Sequence, residues 1–158
     1  MDALARKVKV SASTFLLACW QTLLWRLTGQ PEILVGIVYG EEKYEVLRGV
    51  LGPFAKILPA SMHFERDFNF TEILKRTDEA VRDVFEWGEY LNSDSSTPAA
   101  IFEHYHCGES YRAAMLSFSI EGLYTCMDQF GLKLSCVRKN EALLAELHGL
   151  MNRVADIS

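Results

Sequence analysis

The sequence predicts an α/β domain in which helices cover a sheet, and three observations carry that expectation. An apolar helical stretch and a long amphipathic one bracket a nearly unbroken apolar run containing β-branched residues, Ile33 to Tyr39. Such a run, with no polar alternation, suits a strand covered on both faces. Two later segments alternate apolar and polar residues at a period of two, as half-buried strands do. The chain has 158 residues, 49% hydrophobic and 23% charged, which suits one folded domain.

Taken in order, Asp2 to Val8 reads as a short helical turn that Val10-Ser11 breaks. Ser11 or Ser13 can cap the helix that follows by accepting a backbone N–H. Leu16, Trp20, Leu23, Leu24 and Leu27 fall on one face of that helix, widened by Phe15, Leu17 and Cys19. Trp25 lies on the opposite side, near Thr14, Ala18 and Gln21, where its indole needs a second covering surface. Gly29 is a C-terminal stop. After the first strand, Gly40 ends the run. The segment from Glu41 to Gly52 reads as a turn of helix, and Gly52-Pro53 makes a tight corner. Phe54 to Phe64 is a second extended segment, with Pro59 keeping part of it off a central ladder position.

Asn69 caps the long helix, with Glu72 at the reciprocal capping position and Phe68 and Ile73 as a hydrophobic staple. Ile73, Leu74, Thr77, Ala80, Val81, Val84 and Phe85 form its buried stripe. A loop follows through NSDSSTPA. Two further strands are expected over Ala113 to Ile120 and Leu132 to Val137. Asn140 then caps a final helix with Leu143, Leu144, Leu147, Leu150, Met151 and Val154 on its apolar face.

Composition narrows the function classes. A net charge of -5 with scattered Lys and Arg argues against a sequence-independent nucleic-acid binder, which needs clustered cations. The apolar stretch from Phe15 to Leu27 is interrupted by Gln21, Thr22 and Arg26, so neither a signal peptide nor a membrane span is expected. Cys19, Cys107, Cys126 and Cys136 lack zinc-type spacing, and reduced thiols in a cytoplasmic protein are the plain reading.

Candidate chemistry is sparse. The stretch IFEHYHCGES has no defined pattern; if it is extended, His104 and His106 share a face, and Cys107 adjoins them. Two imidazoles without a further ligand pair make a poor zinc site, so no metal and no catalytic residue is assigned. His63 and His148 read as decorating a strand end and a helix face. Trp25, Trp87, Tyr90 and Phe130 fall outside the clean stripes; each ring either covers the core locally, the plainer reading, or belongs to an exposed interaction surface.

Several segments, in order and spacing, resemble the second lobe of a nonribosomal peptide synthetase condensation domain. LLACWQTLLWRLTGQ, from Leu16 to Gln30, is similar to the family's LLAAWQALLHRYTGQ. EILVGIVYGEE matches its DIVVGTPVAGR at Val35 and Gly36. LGPFAKILPAS matches IGxFVNTLPLR at Leu51-Gly52, Phe54 and Leu58-Pro59, and DFNFTEIL matches DPTFRELL at Asp67, Phe70, Glu72 and Leu74. The chain departs from the family at Lys56, where it carries Asn, and at Ser61, where it carries Arg. The family's HQDxPFE signature is not recognisable after the long helix.

The resemblance implies a single chloramphenicol-acetyltransferase-like lobe with a mixed sheet covered by helices. Residues 1–158 would be the C-terminal lobe, the N-terminal lobe being absent. The full domain joins carrier-bound thioesters through an amide bond. The catalytic HHxxxDG motif belongs to the first lobe and does not occur in this sequence, so the chain is expected not to catalyse alone. By resemblance, Gly36, Gly52, Phe54 and Lys56 line the substrate tunnel. No cofactor is expected to bind, since the substrates ride on the phosphopantetheine of partner carrier proteins. Partners would be the first lobe, carrier proteins, neighbouring synthetase domains, or a second copy through the exposed lobe interface. Nucleic acid and membrane are not expected partners. The alternative is a degenerate condensation-like module that docks or recruits a partner protein.

Overall fold

The computed structural model describes residues 8–39, 56–88, 98–107, 110–119, 131–139 and 142–149. Helix α1 spans Ala12–Thr28. The Ser11 side chain caps it by accepting the Thr14 N–H at 2.9 Å. Gly29, at φ 69°, closes it by donating its N–H to the Trp25 carbonyl at 2.8 Å. That left-handed backbone is cheap for glycine and strained for most residues.

Strand β1 (Glu32–Tyr39) pairs antiparallel with β2 (Lys56–His63) and parallel with β3 (Ala100–Cys107). Strand β3 pairs parallel with β6 (Leu132–Lys139), which pairs antiparallel with β7 (Ala142–Gly149). The result is a five-stranded mixed sheet in the order β2-β1-β3-β6-β7. Pro59 sits in the edge strand β2, where its missing N–H spares the ladder. Helix α2 (Phe70–Trp87) starts at Asn69, whose side-chain oxygen accepts the Glu72 N–H at 3.0 Å. The Glu72 carboxylate pairs with Arg76 at 3.3 Å.

Helix α1 lies over β1 and β3, and α2 over β2. Strand register puts Ile33, Val35, Ile37, Ala60, Met62, Phe102 and Cys136 on the helix-covered face, and all are buried. Leu17, Trp20, Leu24, Ile73 and Leu74 fill the layer above them. No helix among the described residues is long and apolar enough to cross a membrane.

Three sequence expectations need correction. The buried stripe of α1 is Thr14, Leu17, Ala18, Trp20, Gln21 and Leu24, while Leu23 and Leu27 are 47% and 71% exposed. The helix turns that way because Gln21 has buried partners. Its amide donates to the Ala60 carbonyl at 3.4 Å and accepts the Thr77 hydroxyl at 3.3 Å. Trp25 is accordingly half-buried, stacked on Phe64 at 5.0 Å, with the Arg26 guanidinium 5.0 Å from its ring centroid.

The expected strand from Ala113 to Ile120 is divided. Strands β4 (Ser110–Ala113) and β5 (Leu116–Ser119) form a separate two-stranded sheet, turning through Ala114 at φ 55°. Most consequentially, the segment expected to begin a final helix is strand β7, every residue of which pairs with β6. Leucines at 143, 144 and 147 satisfy a helical period over so short a run, but the ladder offered by β6 overrides it. Residues 150–154 of the expected helix, and the turn before Gly52, lie outside the described residues.

Gly36 sits at the middle of the sheet on the face away from the helices. A Cβ there would come within 2.5 Å of Ile101 Cδ1 and 2.6 Å of Ile57 Cγ2. Gly36→Ala is therefore expected to destabilise the fold by about 1–3 kcal/mol, read as a lower urea midpoint at unchanged slope.

Candidate functional site

The carboxyl ends of β1 and β3, the first turn of α1 and the last turns of α2 surround a small cleft. Ser11, Ser13, Thr14 and Leu17 line one wall, Ile37, Val38, Phe102 and His104 the floor, and Val81 and Phe85 the other wall. Open α/β sheets tend to bind ligands at this end of their strands. The Ser11 and Thr14 hydroxyls are 2.8 Å apart, and the Ser11 oxygen is already engaged in capping. His104 is half-buried and lies on the helix-covered side of β3. Among the described residues the lining is apolar with hydroxyls and one imidazole, and none of these is Lys or Arg. Such a surface suits a neutral, partly apolar chain better than a phosphate or carboxylate.

The residues assigned to a tunnel are only partly brought together. Gly36 is packed at the centre of β1, and Lys56 is exposed at the start of β2, opposite Tyr39. Gly52 and Phe54 lie outside the described residues, as do Tyr90 and Phe130. His104 lines the cleft. No group of three metal-binding side chains occurs among the described residues. Trp87 is 59% exposed. His63 ends β2, as expected. His148 stands on strand β7 beside Glu146, at 3.4 Å, and not on a helix face.

Of the described thiols, Cys136 packs in the core while Cys19 is exposed on α1. Cys136 is fully buried, and burial followed by the neighbouring Cys19 pushes its pKa up. Burial also raises the Cys19 thiol. Both shifts disfavour the thiolate, the nucleophilic form.

A second cluster, invisible as such in the sequence, lies on the opposite face of the sheet. Lys133 Nζ meets Glu103 Oε2 at 2.7 Å, and the Ser135 hydroxyl donates to Glu103 Oε1 at 3.3 Å. All three side chains are buried. The alternation of Lys133 and Ser135 with Leu132, Leu134 and Cys136 gives the strand correctly, yet the polar side is dry. Parallel pairing makes the cluster, because Glu103 stands beside Ser135 and one diagonal step from Lys133. No local signal links positions 30 residues apart. Burying both charges is costly unless they stay paired. Lys133→Met is expected to cost about 3–5 kcal/mol by leaving the Glu103 carboxylate buried without its ammonium, whereas Lys133→Met with Glu103→Leu should recover most of the loss. Chemical denaturation of the two variants checks this.

A family model described as Condensation domain matches residues 1–91. The chain is 26% identical over 110 residues to Surfactin synthase subunit 1 of Bacillus subtilis (strain 168), covering 65% of this chain and 3% of that protein. It is 30% identical over 90 residues to Bacitracin synthase 3 of Bacillus licheniformis, covering 57% of this chain and 1% of that protein. The chain thus spans a few per cent or less of these relatives. Its fold is similar to the first condensation domain of the CDA synthetase, with a TM-score of 0.73 at 15% identity, over 92% of this chain and 35% of that one.

Proposed function

The chain belongs to the condensation-domain family, and from that premise we propose that it supplies the C-terminal lobe of a domain that forms amide bonds in nonribosomal peptide synthesis. Its chloramphenicol-acetyltransferase-like α/β fold, superposing over 92% of its length on about a third of a condensation domain, is the observation that supports this reading.

In the proposed reaction, the acceptor's amine attacks the carbonyl carbon of the donor thioester. A C–N bond forms, the C–S bond breaks, and the thiol returns to the donor's phosphopantetheine arm. The amine must lose a proton, and the imidazole of the family's HHxxxDG motif is suited to take it or to hold the charged intermediate. That motif does not occur in this sequence, so the imidazole comes from the other lobe. This lobe contributes positioning: Gly36, Gly52, Phe54 and Lys56 line the tunnel. Holding two tethered reactants together supplies much of the rate.

The docking reading is favoured by Lys56 and Ser61 standing where the family carries Asn and Arg. The β4–β5 hairpin adds a reason, since Met115, Leu116 and Phe118 are 100%, 63% and 55% exposed.

Acyl- and aminoacyl-loaded carrier proteins are expected to give no condensed product with this chain alone, as read by mass spectrometry. Co-expression with a first lobe bearing HHxxxDG should restore product. Turnover by the chain alone overturns the division of labour. Carrier-protein capture without product in the two-lobe complex would favour docking.

A further inference from the structure

The two edges of the main sheet differ in a way that bears on self-association. Edge strand β2 carries Lys56, Pro59, Ser61 and His63, the residue types that blunt an edge against further pairing. Edge strand β7, ALLAELHG, carries no Pro or Lys and runs against β6 without a bulge. All its residues are exposed, and Leu143, Leu144 and Leu147 are 37%, 56% and 61% exposed. No strand among the described residues pairs with its outer side. A long, regular, leucine-rich edge is a template for another strand.

The sequence of β7 itself selects the occupant. Two antiparallel copies of one strand are related by a two-fold axis normal to the sheet, which keeps every residue on its own face. Because side chains alternate, that axis must pass through a residue and not between two. An axis at Glu146 sets the two carboxylates directly opposite, which is repulsive. Axes at Leu144 or Leu147 pair shorter runs of the described strand.

An axis at Ala145 pairs residues 142–148 with their copies. It sets Leu143 opposite the copy's Leu147, twice, with the Ala145 pair between them. Leu143, Ala145 and Leu147 share the helix-covered face, because their β6 partners are Arg138, Cys136 and Leu134. The Glu146–His148 contact of each chain stays intact on the other face. We propose that this chain forms a two-fold dimer by β7–β7 pairing centred on Ala145, which joins two five-stranded sheets edge to edge. The proposal does not depend on the condensation reading.

Sedimentation across micromolar concentrations tests it, with the full chain. Wild type is expected to show a monomer–dimer equilibrium. Leu143→Lys with Leu147→Lys sets like charges opposite one another and should weaken the dimer roughly tenfold or more. Both sites are solvent-exposed, and an unchanged thermal melt by circular dichroism certifies that the variant is folded. Ala145→Cys should form an intermolecular disulfide on oxidation beyond the wild-type background, because directly opposed Cβ atoms lie about 4.5–5.5 Å apart. Glu146→Cys, a diagonal step from its own copy, should cross-link less. A wild type that stays monomeric, a dimer indifferent to the lysines, or stronger cross-linking at Glu146→Cys each overturns the proposal. The first of these outcomes would leave β7 to a different protein.

Discussion

Parallel pairing of β1 with β3 is the constraint on which this fold rests. It sets Val35 beside Ala100 and Ile37 beside Phe102, across an intervening antiparallel strand and a full helix. Parallel neighbours cannot be joined by a tight hairpin, so the intervening chain must cross over, and α2 does so on the sheet's covered face. Helix α1 lies across the same junction, with Leu17, Trp20 and Leu24 above Val35 and Phe102. The main apolar cluster converges there, and the cleft opens at the strand ends that this pairing aligns.

The two faces of the sheet use burial differently. Under the helices it is mostly hydrocarbon, tied by Gln21 to Ala60 and Thr77. A buried amide is acceptable there because both its ends are hydrogen-bonded. On the far face, Gly36, Ile57 and Ile101 pack closely, and one strand further the Glu103–Lys133–Ser135 cluster is just as dry. A charge pair in such surroundings adds little net stability over well-packed hydrocarbon. It does penalise misalignment, because a one-residue slip of β6 would strand two buried charges.

These features bear on how the family's sequence pattern is read. LLACWQTLLWRLTGQ contributes core through Leu17, Trp20 and Leu24, an inter-element tie through Gln21, and a stop through Gly29. Its roles are structural. The chemistry at the cleft, hydroxyls beside one half-buried imidazole, is compatible with positioning a neutral chain.

The sequence by itself determined the α/β class, both helices with the cap of α2 at Asn69, the strands β1, β2 and β6, and the family, while the structure chose Ser11 over Ser13 as the cap of α1. Those features are written locally, in periodicity, capping residues and ordered motifs. Only the tertiary structure decided which way α1 faces, that residues 142–149 form a strand, that Lys133 is buried, and that His104 stands in a cleft with Ser11 and Thr14. Each of these depends on a partner far along the chain: Ala60 and Thr77 for Gln21, β6 for β7, Glu103 for Lys133. A short leucine-rich run fits a helix and a strand equally well, and a lysine in an alternating pattern looks solvated. The free energy that chooses between such states comes from contacts that exist only once the sheet has assembled.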